Sequence, residues 1–343
     1  MERKKVYIGM DDHRLSVQVC VLDEDGRVLV NRSCHNNLPE IAAAVPEGAV
    51  VAAALIESCC GAFDLTDALR TELGWPVTEA HPGIVKRMRH NPDKSDYTDA
   101  QMLAELSRVG FVPPVWLAPP WVRELRLLVR LRADLAKHKR AVKTRILAVL
   151  RGQRIAEPDE FNRWTKRWLA WIISPGVCSD AGLFVIRSHL AKLDWLCTQI
   201  KEVEYKLGDQ TAGDPVVERL LCEPGVGPVT AWTMRAIIGE FDRFASGKQL
   251  ARFCAVTPRN TSSGQRMADA GLVRAGDPLL KTVVIEAAQR LRRYEPRWSA
   301  FSDQLAERGK PTSVIVAAIA NRWVRWLYHQ IKELPEQEHP MAA

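Results

Sequence analysis

The chain has 343 residues, 47% apolar and 26% charged, with a net charge of +7. That is enough apolar content for a core in each of about two domains, and it excludes a broadly disordered chain. Its longest apolar run, Ala49–Ile56, falls far short of the ~18 residues of a membrane span. The start, Met-Glu-Arg-Lys-Lys-Val-Tyr-Ile, leads into strand-like residues, so no signal peptide is expected. Eight cysteines occur without a C-x-x-C pair or zinc-ligand spacing, as expected of reduced thiols in a cytoplasm.

In chain order, Val6, Ile8 and Met10 alternate with other residues, as do Val17, Val19 and Val21, which predicts two strands. Asp23-Glu24-Asp25-Gly26 predicts a hairpin turn into a third strand at Arg27–Asn31. A short helix over Leu38–Val45 precedes the all-apolar run, which has the length of a buried central strand ending at Glu57. Gly61–Leu73 reads as an amphipathic helix and Pro76–Glu79 as a short strand. Three antiparallel strands followed by alternating helix and strand is the order of an RNase H-like fold.

From Trp121 to Arg154 one long helix is expected, with an apolar seam at Leu128, Leu131, Leu135, Val142, Ile146 and Val149. This stretch holds 11 Lys/Arg and two acids. Trp164, Trp168 and Trp171 repeat at helical spacing and read as packing residues. A second long helix over Phe184–Leu207 carries Leu193, Leu196, Ile200, Val203 and Leu207, so the pair predicts a protruding coiled-coil arm suited to dimerisation. A polar linker at Asp209–Asp214 leads to Pro224-Gly225-Val226-Gly227-Pro228, which looks like a helix-hairpin-helix turn whose Gly225 and Gly227 bring backbone N–H groups toward a phosphate. Gln249–Ala255 reads as a short helix and Thr257–Gly276 as a loop. Helices at Leu279–Arg293, Pro296–Arg308 and Thr312–Lys332 complete a class best described as α/β plus α.

Charge is uneven along this order. Residues 1–110 hold 12 Lys/Arg against 17 Asp/Glu, and residues 111–343 hold 36 against 24. Four carboxylates stand out by position. Asp11 ends the first strand, Glu57 ends the central strand, and Asp96 and Asp99 lie three apart at a helix start. Adjacent first and central strands bring Asp11 and Glu57 together, and a helix crossing the sheet adds the other two. Four mutually repelling acids make sense as oxygen ligands for Mg²⁺ or Mn²⁺, which suits phosphodiester exchange. Asp12 points to the opposite face of the strand and reads as a bystander.

These residues resemble the transposases of the insertion-sequence IS110 family, which pair a RuvC-like DEDD domain with a C-terminal domain of the IS116/IS110/IS902 type. The likeness is carried by Gly9-Met10-Asp11, Glu57-Ser58-Cys59-Cys60-Gly61 and Lys94-Ser95-Asp96-Tyr97-Thr98-Asp99-Ala100. It continues through Pro224-Gly225-Val226-Gly227, Val256-Thr257-Pro258, Ser262-Ser263-Gly264 and Ala275-Gly276-Asp277-Pro278-Leu279-Leu280, and spans roughly Val6 to Leu334. Asp12 departs from the apolar residue usual there.

The resemblance implies a DNA recombinase that excises and inserts its own element, with Asp11, Glu57, Asp96 and Asp99 as metal ligands and a serine nucleophile. Ser263 is the candidate, with Ser262 the fallback, in a loop whose Arg259 and Arg266 are placed to hold phosphate oxygens. It implies a structured guide RNA as partner besides donor and target DNA, a homodimer or homotetramer, and a cytoplasmic protein associated with the nucleoid when bound to DNA. Arg126, Arg130, Lys137, Arg140 and Lys143, with their neighbours Arg123, Arg132, Lys139 and Arg145, are then the nucleic-acid contacts of the arm. The expected layout is a catalytic domain at 1–112, the arm at 113–210, a transposase domain at 211–334 and a disordered tail at 335–343. Two other readings stay open: a metal-dependent resolvase or nuclease in which water attacks, and a non-enzymatic nucleic-acid-binding protein.

Overall fold

The computed structural model describes residues 4–58, 61–88, 95–111, 115–260 and 269–334. The chain divides into two compact units, Met1–Leu117 and Ala118–Ala343.

In the first unit, β1 (Lys5–Asp12), β2 (Ser16–Leu22) and β3 (Val28–His35) form an antiparallel meander. Asp23 closes the β2–β3 turn by accepting the N–H groups of Asp25 and Arg27, and Gly26 supplies the left-handed φ of 83°. Then follow α1 (Leu38–Ala42), β4 (Val50–Glu57), α2 (Ala62–Leu73), β5 (Val77–Ala80), α3 (Pro82–Met88) and α4 (Asp96–Val109). β4 pairs parallel with β1 and with β5, giving one mixed sheet in the order β3-β2-β1-β4-β5.

The period-2 alternation gives the sheet two different faces. On one, Ile8 and Met10 of β1 and Ala54 and Ile56 of β4 pack on Ala62, Leu65 and Leu69 of α2. On the other, Leu55 packs with Leu103 of α4, and Cys20 and Leu22 pack with Ala100 and Ala104. Gly9 is what lets α4 lie so close, since a Cβ there would sit 2.1 Å from the Ala100 carbonyl and the Ala104 nitrogen.

The second unit is helical apart from one hairpin. Its elements are α5 (Pro120–Gly152), α6 (Lys166–Ile172), α7 (Asp180–Gln210), α8 (Pro215–Leu221), α9 (Pro228–Ile238), α10 (Gly247–Phe253), β6 (Pro258–Asn260), β7 (Asp269–Leu272), α11 (Pro278–Tyr294), α12 (Pro296–Glu307) and α13 (Thr312–Lys332). α5 and α7 run antiparallel, tied by Arg132–Glu204 at 2.8 Å near one end and by Gln153–Ser179 at 2.7 Å near the other. The α7 seam is the expected one, Leu193, Leu196, Ile200, Val203 and Leu207 all being buried, with Ile186 extending it.

The α5 seam differs at its end, where Leu150 is buried and Val149 only half-buried, and in its first third. Leu128 is only half-buried and Leu131 is 47% exposed, while Val122, Leu125 and Val129 are buried instead. The reason is that this part of α5 packs on α9 as well, where Trp121 lies under Arg235. Trp168 is fully buried within α6, and Trp164 stands outside the helix at a φ of 70°.

Two further expectations change. The stretch 209–214 is a tight corner: α7 runs to Gln210, and the buried Asp214 caps α8 through the N–H groups of Val216 and Val217. The region read as a loop from Thr257 to Gly276 contains the β6–β7 hairpin, whose strands are too short to show a period. The core of this unit gathers Met234, Ile237, Leu280, Val284, Ile319 and Trp323. No described helix is long and apolar enough to cross a membrane.

Candidate active site

β1 delivers two adjacent acids to opposite faces. Asp12 is on the α2 face, buried, and accepts a 2.8 Å hydrogen bond from the Asn36 side-chain amide. Asp11 follows Gly9 at two-residue spacing and therefore belongs to the α4 face. Glu57 follows Leu55 in the same way on the neighbouring strand, so it shares that face.

α4 brings the other two. Ser95 caps it with a reciprocal box, its Oγ accepting from the Thr98 N–H at 3.2 Å while the Thr98 hydroxyl accepts from the Ser95 N–H at 3.3 Å. That fixes where the first turn begins. Asp96 and Asp99 both lie in this turn, where the helix dipole favours negative charge. Asp96 is exposed and Asp99 is 3% exposed, buried beside the Ala100 that backs on Gly9.

Between Asp11 and Asp96 stands a histidine that the residue pattern does not announce. His13 Nε2 is 3.1 Å from Asp96 Oδ2 and 3.7 Å from Asp11 Oδ2. One ligand atom from each of the three lies within 4.8 Å of the others, which is the spacing of groups able to share a cation. His13 lies just past the end of β1, in the turn that its N–H closes on the Ser16 carbonyl. The donor set, carboxylate oxygens with one imidazole nitrogen, fits a hard or borderline divalent ion.

Behind this end of the sheet is an unforeseen acid. Glu79 of β5 pairs in register with Ile56, is fully buried, and neither of its carboxylate oxygens makes a hydrogen bond among the described residues. Burial raises its pKa above the usual carboxylate range, against a smaller opposing pull from the nearby Ser58 and Thr66 hydroxyls and Arg70.

In the second unit, the serine loop falls on undescribed positions: Ser262, Ser263 and Arg266 lie outside the described residues. Arg259 is on β6 and exposed. The base of the hairpin is tied to α13 by the Asn321 amide, which donates to the Val256 carbonyl at 3.2 Å. Gly225 has a φ of 82° and accepts Arg290 Nη1 on its carbonyl, and a Cβ there would meet the Arg290 side chain at 2.5 Å. Gly227 caps α9 with open space beside it.

The arm cations divide sharply. Arg126 donates Nε and Nη2 to the Ala236 and Ile237 carbonyls at the end of α9, at 3.0 and 3.1 Å, and burial lowers its pKa. Arg130 lies 3.8 Å from Asp277, and Lys143 sits 4.4 Å over the Trp164 ring, where burial lowers its pKa. Lys137 and Arg140 are exposed on α5.

Comparison with known proteins identifies the family. A transposase model of the DEDD IS110 type matches residues 8–154, and the model described as the IS116/IS110/IS902 transposase family matches residues 217–303. A transposase for insertion sequence element IS1328 of Yersinia enterocolitica is 24% identical over 93% of this chain and 94% of its own length. A transposase for insertion sequence element IS1111A of Coxiella burnetii is 25% identical over 84% of this chain and 78% of its own. A putative transposase of Sinorhizobium fredii is 31% identical over 38% of this chain and 35% of its own. With the N-terminal and C-terminal models matching in order, the chain belongs to the IS110 family of transposases and is a DNA transposase, an enzyme of DNA recombination.

Proposed function

We propose that this transposase cuts and rejoins DNA through a serine nucleophile supported by a divalent metal site at the acid end of an RNase H-like domain. The observation that carries the reading is the convergence of Asp11 and Asp96 beside His13, on the sheet face that Glu57 shares and on which Asp99 is buried. The sheet order β3-β2-β1-β4-β5, with the first three strands antiparallel and the last two parallel to β1, supports the RuvC-like assignment.

Asp11, Glu57, Asp96 and Asp99 would hold Mg²⁺ or Mn²⁺, with His13 as a nitrogen ligand. Such an ion, when bound, supplies positive charge to the scissile phosphate and lowers the cost of forming an alkoxide. Ser263 Oγ displaces one deoxyribose oxygen at phosphorus, and the hydroxyl proton ends on the departing oxygen. The strand end is then held as a phosphoserine ester until a hydroxyl of another strand displaces the serine. Arg259 and Arg266 orient the phosphate.

The layout at 1–112, 113–210 and 211–334, the coiled-coil character of α5 with α7, and the helix-hairpin-helix reading of the α8–α9 turn belong to the same proposal. So does assembly into at least a dimer, since two DNA partners require two active sites; the exposed Phe184 and Trp195 of α7 support a contact there. The exposed Lys137 and Arg140 suit a structured guide RNA, whose base pairing would read sequence while the protein reads backbone.

The test is covalent trapping. Ser263→Ala abolishes the protein–DNA adduct and strand exchange while DNA binding persists. Loss in Ser262→Ala instead moves the nucleophile by one residue. Cleavage retained in the double variant leaves water as the attacking group.

A further inference from the structure

A basic cleft at α12 and α13 is left without a role by the account above. Two adjoining cavities, about 530 and 580 Å³, share Arg322 and Arg325 as common wall. Arg297, Trp326 and His329 line the first, and Pro258, Gly271 and Leu272 of the β6–β7 hairpin line the second.

No acid lines either cavity among the described residues. Arg297, Arg322 and Arg325 are all exposed, and none is within ion-pair distance of a described carboxylate. Rings hold two of them. Arg322 lies 4.0 Å over Phe301, and Arg297 lies 4.9 Å from Trp298 and 5.6 Å from Trp326. A guanidinium stacked on a ring keeps its N–H edge outward while losing rotamer freedom in advance of binding. Three guanidiniums gathered without a carboxylate repel one another, and they make sense for a polyanion.

The spacing fits a nucleic-acid strand. Arg322, Arg325 and His329 recur on one face of α13 across ~10 Å of helix rise, a length of surface that meets more than one phosphate of a strand. The hairpin selects the occupant. It contributes Pro258, Gly271 and Leu272 to the cleft wall, and in sequence its two strands flank residues 261–268, which include the proposed nucleophile, so the polyanion expected here is the DNA on which that nucleophile acts.

We propose that the α12–α13 cleft binds the phosphate backbone of the DNA strand flanking the cut, with Arg297, Arg322 and Arg325 as its phosphate contacts. This rests on the transposase reading and adds to it the surface that positions the substrate.

The experiment measures the affinity of the full chain for a short fluorescent DNA duplex across a salt series. The triple variant Arg297→Ala, Arg322→Ala, Arg325→Ala should lower the slope of log K against log salt by about 2–3, at about 0.9 per phosphate contact. Replacing the three by lysine should restore most of the slope, because charge is kept while the ring stack is lost. Lys201→Ala, on the exposed side of α7, should leave the slope unchanged. An unchanged slope in a folded triple variant overturns the proposal while the transposase reading stands. So does a loss confined to a structured RNA probe with DNA binding intact. A wild-type chain that binds no DNA overturns the transposase reading itself.

Discussion

The acid end of the first unit and the basic arm of the second use charge in opposite ways. Around Asp11, carboxylates from a strand and a helix are concentrated in one place, with His13 as a cationic neighbour when protonated. Along α5, positive charges are dispersed into the fold: Arg126 into carbonyls, Arg132 into Glu204, Lys143 onto a ring. Concentrating like charge opposes folding and calls for a counter-ion from outside, whereas paired charge is part of the scaffold. By that standard the α12–α13 cleft resembles the acid site more than it resembles the arm.

The largest effect should come from removing the device that allows the acids to meet. Gly9→Ala places a Cβ against the α4 backbone, which cannot yield without moving Asp96 and Asp99. Thermal unfolding should show a loss of roughly 3 kcal/mol, and divalent metal binding should fall with it. A variant that keeps full stability and full metal binding would break the link between the sheet face and the site.

Next comes the arm. Arg126→Ala should lower stability by about 1–3 kcal/mol, because two carbonyls at the α9 end lose their donor, while leaving the salt dependence of DNA and RNA binding unchanged. Lys137→Ala with Arg140→Ala should do the reverse, lowering the salt slope for nucleic acid by about 2 at unchanged melting temperature. Equal behaviour of the two variants would erase the distinction between structural and outward-facing cations.

The smallest effect concerns Glu79. Its folded pKa is raised by burial, so the neutral form favours the fold, and that contribution is present at low pH and lost as pH rises through the folded value. Glu79→Gln mimics the neutral form and should therefore stabilise at neutral pH by roughly 1 kcal/mol, the scale of one unsatisfied buried group. The gain over wild type should shrink as pH falls through the acid range. A gain that grows with acid would reverse the sign of this argument.

What could be read from the residues follows from which signals are strong. Glu57 stands at the end of eight apolar residues, and Asp96 and Asp99 at one-turn spacing, so their placement at element ends was legible. His13 lies just past the end of β1, where strand alternation no longer reports which way a side chain faces, so its place beside Asp11 has no sequence signal. Glu79 lies on a four-residue strand, too short to show a period, so its burial had no sequence signal. The α5 seam was misphased at Leu128 and Leu131 because a second partner, α9, rotates the buried stripe, and heptad spacing alone does not report a second partner. The β6–β7 hairpin was hidden for the same reason as Glu79, three- and four-residue strands within a Gly-containing stretch.

The most direct measurement of the central claim uses the two adjacent acids of β1. Mn²⁺ binding to the full chain, followed by calorimetry, should weaken at least ~10-fold in Asp11→Asn, the scale of losing one ligand or its close support. Asp12→Asn, on the α2 face, should bind like the wild type. Loss of binding in Asp12→Asn with Asp11→Asn unaffected would put the metal on the other face of the sheet and contradict the account.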